Sequence, residues 1–272
     1  MVLFDGHVHT PYCPHGTKDA LHRYVEKAIQ LGFKGLTFTE HAPLPESFVD
    51  PTPNQDSGMN LGQLEEYLID IRNLKKQYEN EFMIFAGLEI DYIEGFEEES
   101  INFLDQYGKE LDDSILSVHF LKAQDGYHCL DYSPEAFEQL LRVHGNVESV
   151  YELYYQTLQK SILVDLGAYK PKRIGHITLV MKFRKRFPNP NINKMAIQSI
   201  LRSIAEHEMQ LDYNGSGVAK PLCGEPYPPD WVIDESLHYK IPLVYGSDAH
   251  QAKEMGRGLN RLKKNAPLVR PV

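Results

Sequence analysis

Nine side chains able to ligate metal recur along the chain in a pattern that core packing does not require: His7-x-His9, His15, His41, Glu89, His119, His176 and Asp248-x-His250. Imidazoles mixed with carboxylates suit divalent ions, and zinc, manganese and iron are all compatible with that donor set. Clustered ions of this kind polarise a phosphoryl oxygen, generate hydroxide near neutral pH and hold nucleophile and leaving group in line. Hydrolysis is the chemistry to expect. Two cations a few ångströms apart repel each other unless an anion lies between them. Glu89, in the apolar setting Gly87-Leu88-Glu89-Ile90, is the expected bridge, because a buried carboxylate without a counter-charge would be costly.

What must position these residues is a set of strands. Apolar, β-branched or aromatic runs fall at about 2–7, 34–39, 82–90, 113–119, 172–177, 209–214 and 241–247. Stretches with helical spacing lie between them, at about 19–31, 61–78, 97–107, 134–141, 147–166, 193–206 and 229–238, with a last one at 253–264. Alternation throughout reads as parallel βα units. Thr17 or Asp19 is expected to open the first helix, Asn60 the second, and Ser133-Pro134 puts proline at a first helical position. Gly32 supplies a stop before the second strand. Two long proline- and glycine-rich connections, 42–60 and 215–229, are expected to act as pocket walls or lids.

The expected architecture is a distorted (β/α)7 barrel with a metal site at the C-terminal ends of its strands. His7 and His9 end the first strand, His41 follows the second, and Glu89, His119 and His176 end the third, fourth and fifth. Asn214 ends the sixth, and Asp248 and His250 end the seventh. HxH has the two-residue period of a strand, so both rings lean the same way. Alone it is weak, and singly His15, His41, His119 and His176 would pass for ordinary surface or buried histidines. Their recurrence after one apolar run after another marks a shared rim. His22, His128, His144, His207 and His238 have no such placement and are assigned to structure or solvent.

The bulk composition narrows the setting. With 272 residues, 42% hydrophobic and 24% charged, the chain can bury a large core, and one domain over 1–272 is expected. No apolar run reaches the length of a membrane span, and residues 1–7 lack the features of a secretory signal. Cys13, Cys129 and Cys223 show neither a disulfide framework nor a thiolate metal spacing, which suits a reducing cytoplasm. A net charge of −10 argues against binding nucleic acid, leaving a small molecule as the partner. Self-association is left open.

These residues resemble the polymerase and histidinol phosphatase (PHP) family of metal-dependent phosphoesterases. The matching motifs are Asp5-Gly-His7-Val-His9-Thr10 with His15, Phe38-Thr-Glu40-His41, Gly87-Leu-Glu89, Ser117-Val-His119, Gly175-His176 and Gly246-Ser-Asp248-Ala-His250. Lys170-Pro-Lys-Arg173-Ile-Gly-His176, Asn214-Gly-Ser-Gly217 and Glu225-Pro-Tyr227-Pro228-Pro229 look most like the histidinol-phosphate phosphatase branch. The resemblance implies three metal ions per chain. One would take His7, His9, Glu89 and Asp248, a second Glu89, His119 and His176, and a third His15, His41 and His250. It further implies hydrolysis of L-histidinol phosphate to L-histidinol and phosphate, within histidine biosynthesis. Glu40 stands where many relatives have aspartate, which puts the support of His41 in question.

Direct attack of water on phosphorus is the expected route, with Glu89 holding the cluster and Asp248 or His250 assisting proton transfer to the departing alkoxide. Arg173, Lys182 and Arg184, which flank His176 in sequence, are candidates to grip the phosphate, and Asn214 is a pocket candidate on placement alone. The alternatives are a phosphodiesterase or exonuclease of the same superfamily, a phosphotyrosine phosphatase, an amidohydrolase-type deaminase, and a silent metal-binding regulatory domain. Acidic net charge and the absence of a stacking platform count against the phosphodiesterase or exonuclease, and a complete ligand set against the silent domain.

Overall fold

The computed structural model describes residues 3–189 and 191–271; Val2, where the first expected strand begins, lies outside them. Seven parallel strands form one sheet in the order β1 (Phe4–Val8), β2 (Gly35–His41), β3 (Met83–Asp91), β4 (Ile115–Ser117), β7 (Arg173–Ile174), β8 (Gln210–Asn214) and β9 (Leu243–Gly246). The sheet curls until its ends meet: Val8 bridges Ala249 in parallel, His9 N donates to Ala249 O at 3.0 Å and Asp248 N to His7 O at 2.8 Å. The result is the expected seven-stranded α/β barrel. Strand and helix were both legible because one alternates with period two and the other with three to four.

Helices α1 (Leu21–Gln30), α2 (Leu64–Gln77), α3 (Glu97–Tyr107), α4 (Pro134–His144), α5 (Val147–Leu163), α6 (Lys194–Glu206) and α7 (Asp230–His238) fill the connections. In α2, Leu64, Tyr67, Leu68, Ile71 and Leu74 make the buried stripe, and the Tyr67 hydroxyl donates to the carbonyls of Phe38 and Gly87 on β2 and β3. Ser133 caps α4 as expected, its side chain accepting from Ala136 N, and Asn60 accepts from Gly62 N. Thr17 and Asp19 do not cap α1. They bond to His250 O and Ala252 N instead, tying the segment before α1 to the loop after β9.

Two other expectations are corrected. The expected helix at 253–264 is only a pair of 3-10 turns, Ala252–Glu254 and Leu259–Arg261. Gly256 and Gly258 lie between them at φ +78° and +71°, where a right-handed helix cannot continue, and a Cβ on Gly258 would come within 2.2 Å of Gly215 O. An antiparallel hairpin, β5 (Phe120–Ala123) with β6 (Gly126–Cys129), was absent from the sequence reading. Phe48 from the 42–60 connection packs edge-on against Phe96, Phe120 and Tyr127 beside this hairpin.

One irregularity positions the first two histidines. Between the pairs Asp5–Leu36 and Val8–Phe38, β1 advances three residues while β2 advances two. Neighbours in a regular strand point to opposite faces, and an inserted residue breaks that rule. Gly6 therefore abuts the buried Arg173 guanidinium, which a Cβ would meet at 2.1 Å, while the adjacent His7 reaches Glu89 and Asp212.

Candidate metal centre

All nine predicted side chains converge at the C-terminal rim of the barrel. His41 and Glu89 are register partners on β2 and β3 and so share a face. Glu89 occupies the middle: Oε2 is 3.3 Å from His7 Nε2, 3.6 Å from His9 Nε2 and 3.2 Å from His41 Nδ1. Its Oε1 is 2.9 Å from His176 Nε2 and 3.7 Å from His119 Nε2. Asp248 Oδ1 lies 3.3 Å from His9 Nε2, and His15 Nε2 lies 3.2 Å from His250 Nε2. Asp248 reaches this position from a left-handed backbone at φ +52°, which aspartate tolerates better than most residues.

Three groups have ligand atoms within 4.8 Å of one another: His7, His9 and Glu89; Glu89, His119 and His176; and His9, Cys13, His41 and His250. Cys13 was not anticipated: His9 is four residues away, but His41 and His250 are remote in sequence. The residues fit cations on a direct observation. His7 Nε2, His9 Nε2 and His41 Nδ1, which face Glu89, are buried and among the described residues make no hydrogen bond of good geometry, a costly state for a polar atom unless it binds something.

The other ring nitrogens are held from behind. His7 Nδ1 is 2.9 Å from Asp212, His9 Nδ1 3.1 Å from Glu40 and His119 Nδ1 2.8 Å from Asp91. His15 Nδ1 meets Asp56 O at 2.8 Å and His250 Nδ1 meets Asp248 O at 3.1 Å. Each such partner accepts a hydrogen bond from Nδ1–H and leaves Nε2 to face the centre. Glu40 thus orients His9, not the ring of His41; its extra length also lets it accept from Thr10 N and from His41 N. Asp212 and Asp91 carry a faint sequence signal, lying two residues from Asn214 and Glu89 on the same strands.

Electrostatics follow from this crowding. Burial opposes the charged form of Glu89 and Asp248, yet the facing histidines hold both carboxylates well below their usual range. Burial likewise works against charging His9 and His119, but Asp248 and Glu40 raise His9 to about 9, and Asp91 and Glu89 raise His119 to about 10. His41 and His250 go the other way, pushed down by burial and by the nearby His9. The rim is a set of bases partly occupied by protons that a cation would displace.

A cavity of about 540 Å³ opens over the rim, walled by both long connections through Asp56, Ser57, Ser216 and Lys220. Of the predicted phosphate contacts only Lys182 lines it, paired with Asp131 at 2.8 Å. Arg184 is turned away onto Glu225. Asn214 is fully buried, donating to Asp212 at 3.1 Å and to Asp248 at 3.4 Å, so it steadies carboxylates rather than facing the cavity. Arg173 is corrected most sharply: at 0% exposure it lies inside the barrel, bonded to Asp113 at 2.5 Å and to Gly6 O at 2.8 Å. Arg173→Met is expected to destabilise the fold by about 3–5 kcal/mol, because it leaves Asp113 buried without its cation. Urea denaturation measures the loss, and the folded fraction should keep its KM.

Comparison with known proteins places these features in context. A PHP domain family model matches residues 5–216. The histidinol-phosphatase of Bacillus subtilis (strain 168) is 52% identical over 255 residues, 93% of this chain and 95% of that protein. The crystal structure of the hisK protein of Listeria monocytogenes superposes with a TM-score of 0.91 at 35% identity, covering 96% of this chain and all of the other. A histidinol phosphate phosphatase of Lactococcus lactis, solved with zinc, L-histidinol and phosphate, shares the fold at a TM-score of 0.70 and 19% identity, over 98% and 94% of the two chains.

Proposed function

Because the chain belongs to the PHP domain family, whose model covers residues 5–216, we propose that it hydrolyses L-histidinol phosphate to L-histidinol and phosphate as a metal-dependent phosphomonoesterase. The observation that carries the substrate is the 52% identity to a histidinol-phosphatase over nearly the full length of both chains. The converged rim supports the chemistry.

By motif position, one ion would be held by His7, His9, Glu89 and Asp248, a second by Glu89, His119 and His176, and a third by His15, His41 and His250. Their donors suit zinc, manganese or iron. When bound, such ions neutralise phosphoryl charge and ionise water near neutral pH. The chain's own part is to fix the imidazoles through Asp212, Glu40 and Asp91, so that no reorganisation is needed as charge develops. Asp248 or His250, both at the cavity wall, is assigned to relay to the departing alkoxide a proton given up by the attacking water.

A continuous apolar cluster runs from Val8 to Ala266, which supports one domain. No described helix is long and apolar enough to cross a membrane. The three cysteines are unpaired, and we assign the enzyme to the cytoplasm on that ground. The substrate reading is tested by phosphate release from histidinol phosphate against phosphotyrosine, a nucleoside monophosphate and a phosphodiester. A kcat/KM at least ~100-fold higher for histidinol phosphate is expected, since the site's buried polar groups reward a matched substrate. Equal rates across the panel would overturn it.

A further inference from the structure

Packing fixes most of the rim histidines: His7, His9, His41, His119 and His176 are buried. His15 is exposed, on a turn where the barrel does not confine its ring. What aims it is a hydrogen bond from Nδ1 to Asp56 O at 2.8 Å, which leaves Nε2 3.2 Å from His250 Nε2. That carbonyl is held in turn by a carboxylate. Asp50, buried although it lies in the 42–60 connection, accepts from Thr52 N at 2.9 Å and, through its other oxygen, from Ser57 N at 3.0 Å. Between these two feet the chain reverses, with Gln55 at φ +50° and its N donating to Thr52 O at 3.1 Å.

Asp56 O and Ser57 N belong to one peptide group. Because that group is planar and trans, its N–H and C=O point in opposite directions, and holding one aims the other. A continuous line therefore runs from the Asp50 carboxylate through Ser57 N–H and Asp56 C=O to His15 Nδ1–H. A carboxylate on the N–H side also polarises the peptide and strengthens its carbonyl as an acceptor. We propose that Asp50 is a positioning residue for His15, acting through the Asp56–Ser57 peptide as Asp212, Glu40 and Asp91 act directly on His7, His9 and His119. This rests on the reading of His15 as a ligand. The rest of the connection has its own anchors: Ser47 N donates to Glu99 at 3.1 Å, Phe48 packs among Phe96, Phe120 and Tyr127, and Met59 N donates to His41 O at 3.2 Å. Loss of Asp50 frees the turn and leaves the connection docked.

The test uses the full-length protein, zinc as the probe, and the variants D50N, H15A and H15A/D50N. Zinc retained per chain is measured against a graded chelator, beside thermal unfolding of the metal-free proteins. Asparagine keeps the shape but offers one acceptor oxygen and no charge. D50N should weaken one ion by about 10- to 100-fold and leave the others at parental affinity, the usual effect of removing a group that braces a ligand. H15A should weaken the same ion, and H15A/D50N should be no weaker than H15A, because a residue acting only through His15 then has nothing to act on. Metal-free unfolding should match the parent. A D50N variant that keeps every ion at parental affinity, that weakens all of them equally with a lower unfolding midpoint, or that adds its loss to that of H15A would overturn the assignment. An H15A variant that keeps every ion would instead defeat the reading of His15 as a ligand, and the relay with it.

Discussion

Glu89→Gln is expected to lower kcat/KM for histidinol phosphate by at least ~1,000-fold, about 4 kcal/mol of transition-state stabilisation, and to lower bound metal in parallel. The side chain keeps its shape, so the change isolates charge. Glu89 is almost completely buried and has four histidines within 3.6 Å, His7, His9, His41 and His176, with His119 at 3.7 Å. An amide there supplies one acceptor and an NH₂ group, which faces imidazole nitrogens that need an anion or a cation between them. Ser117 Oγ, which donates to Glu89 Oε1 at 2.6 Å, has a carbonyl oxygen to bond only if the amide takes the matching orientation. Metal analysis and single-substrate kinetics on the purified variant check this. A rate within tenfold of the parent would remove Glu89 from the centre of the chemistry.

Removing metal with a chelator is expected to abolish phosphate release, by at least ~1,000-fold, and re-adding zinc, manganese or iron to restore it. Thermal stability should fall as well: an ion held at a hundred times its dissociation constant contributes about 2.7 kcal/mol, and the rim is arranged for several. The loss should be easier in acid. In the metal-free chain His9 holds its proton up to about 9 and His119 up to about 10, so a cation must expel those protons to bind. A raised affinity for protons makes metal affinity rise with pH below those values and fall as pH drops from 8 to 6. Titrating metal retention against a fixed chelator across that range measures the slope. A flat profile would show that the ion does not displace protons from these rings, and chelator-resistant activity would defeat the metal mechanism.

Much of the rim was legible because ligand type and strand period are local properties. His7-x-His9 and Asp248-x-His250 carry the two-residue spacing in the sequence itself, and each remaining ligand except the loop residue His15 lies in or just after an apolar run. The walls were legible too, since 42–60 and 215–229 are marked by proline and glycine and both reach the cavity. Cys13 escaped notice because thiolate sites are sought by cysteine spacing, and its companions here are histidines, two of them from other strand ends. The hairpin at 120–129 escaped because its strands are four residues each and follow directly on a barrel strand.

Arg173 and Arg184 lie away from the cavity for a different reason, while Lys182 lines it. Arg173, Lys182 and Arg184 look alike in sequence, a basic run around His176, but their roles depend on which carboxylate each one meets. Arg173 meets Asp113, 60 positions away, and Lys182 meets Asp131, 51 positions away. The sequence alone determined the alternation of strand and helix and the chemical identity of the rim, because backbone periodicity and turn chemistry are written within a few residues. Tertiary structure alone decided which histidine is braced by Asp212, Glu40 or Asp91 and which carboxylate each cation meets. Hydrogen bonds and ion pairs are contacts of a few ångströms, and only closure of the barrel brings such distant residues that near.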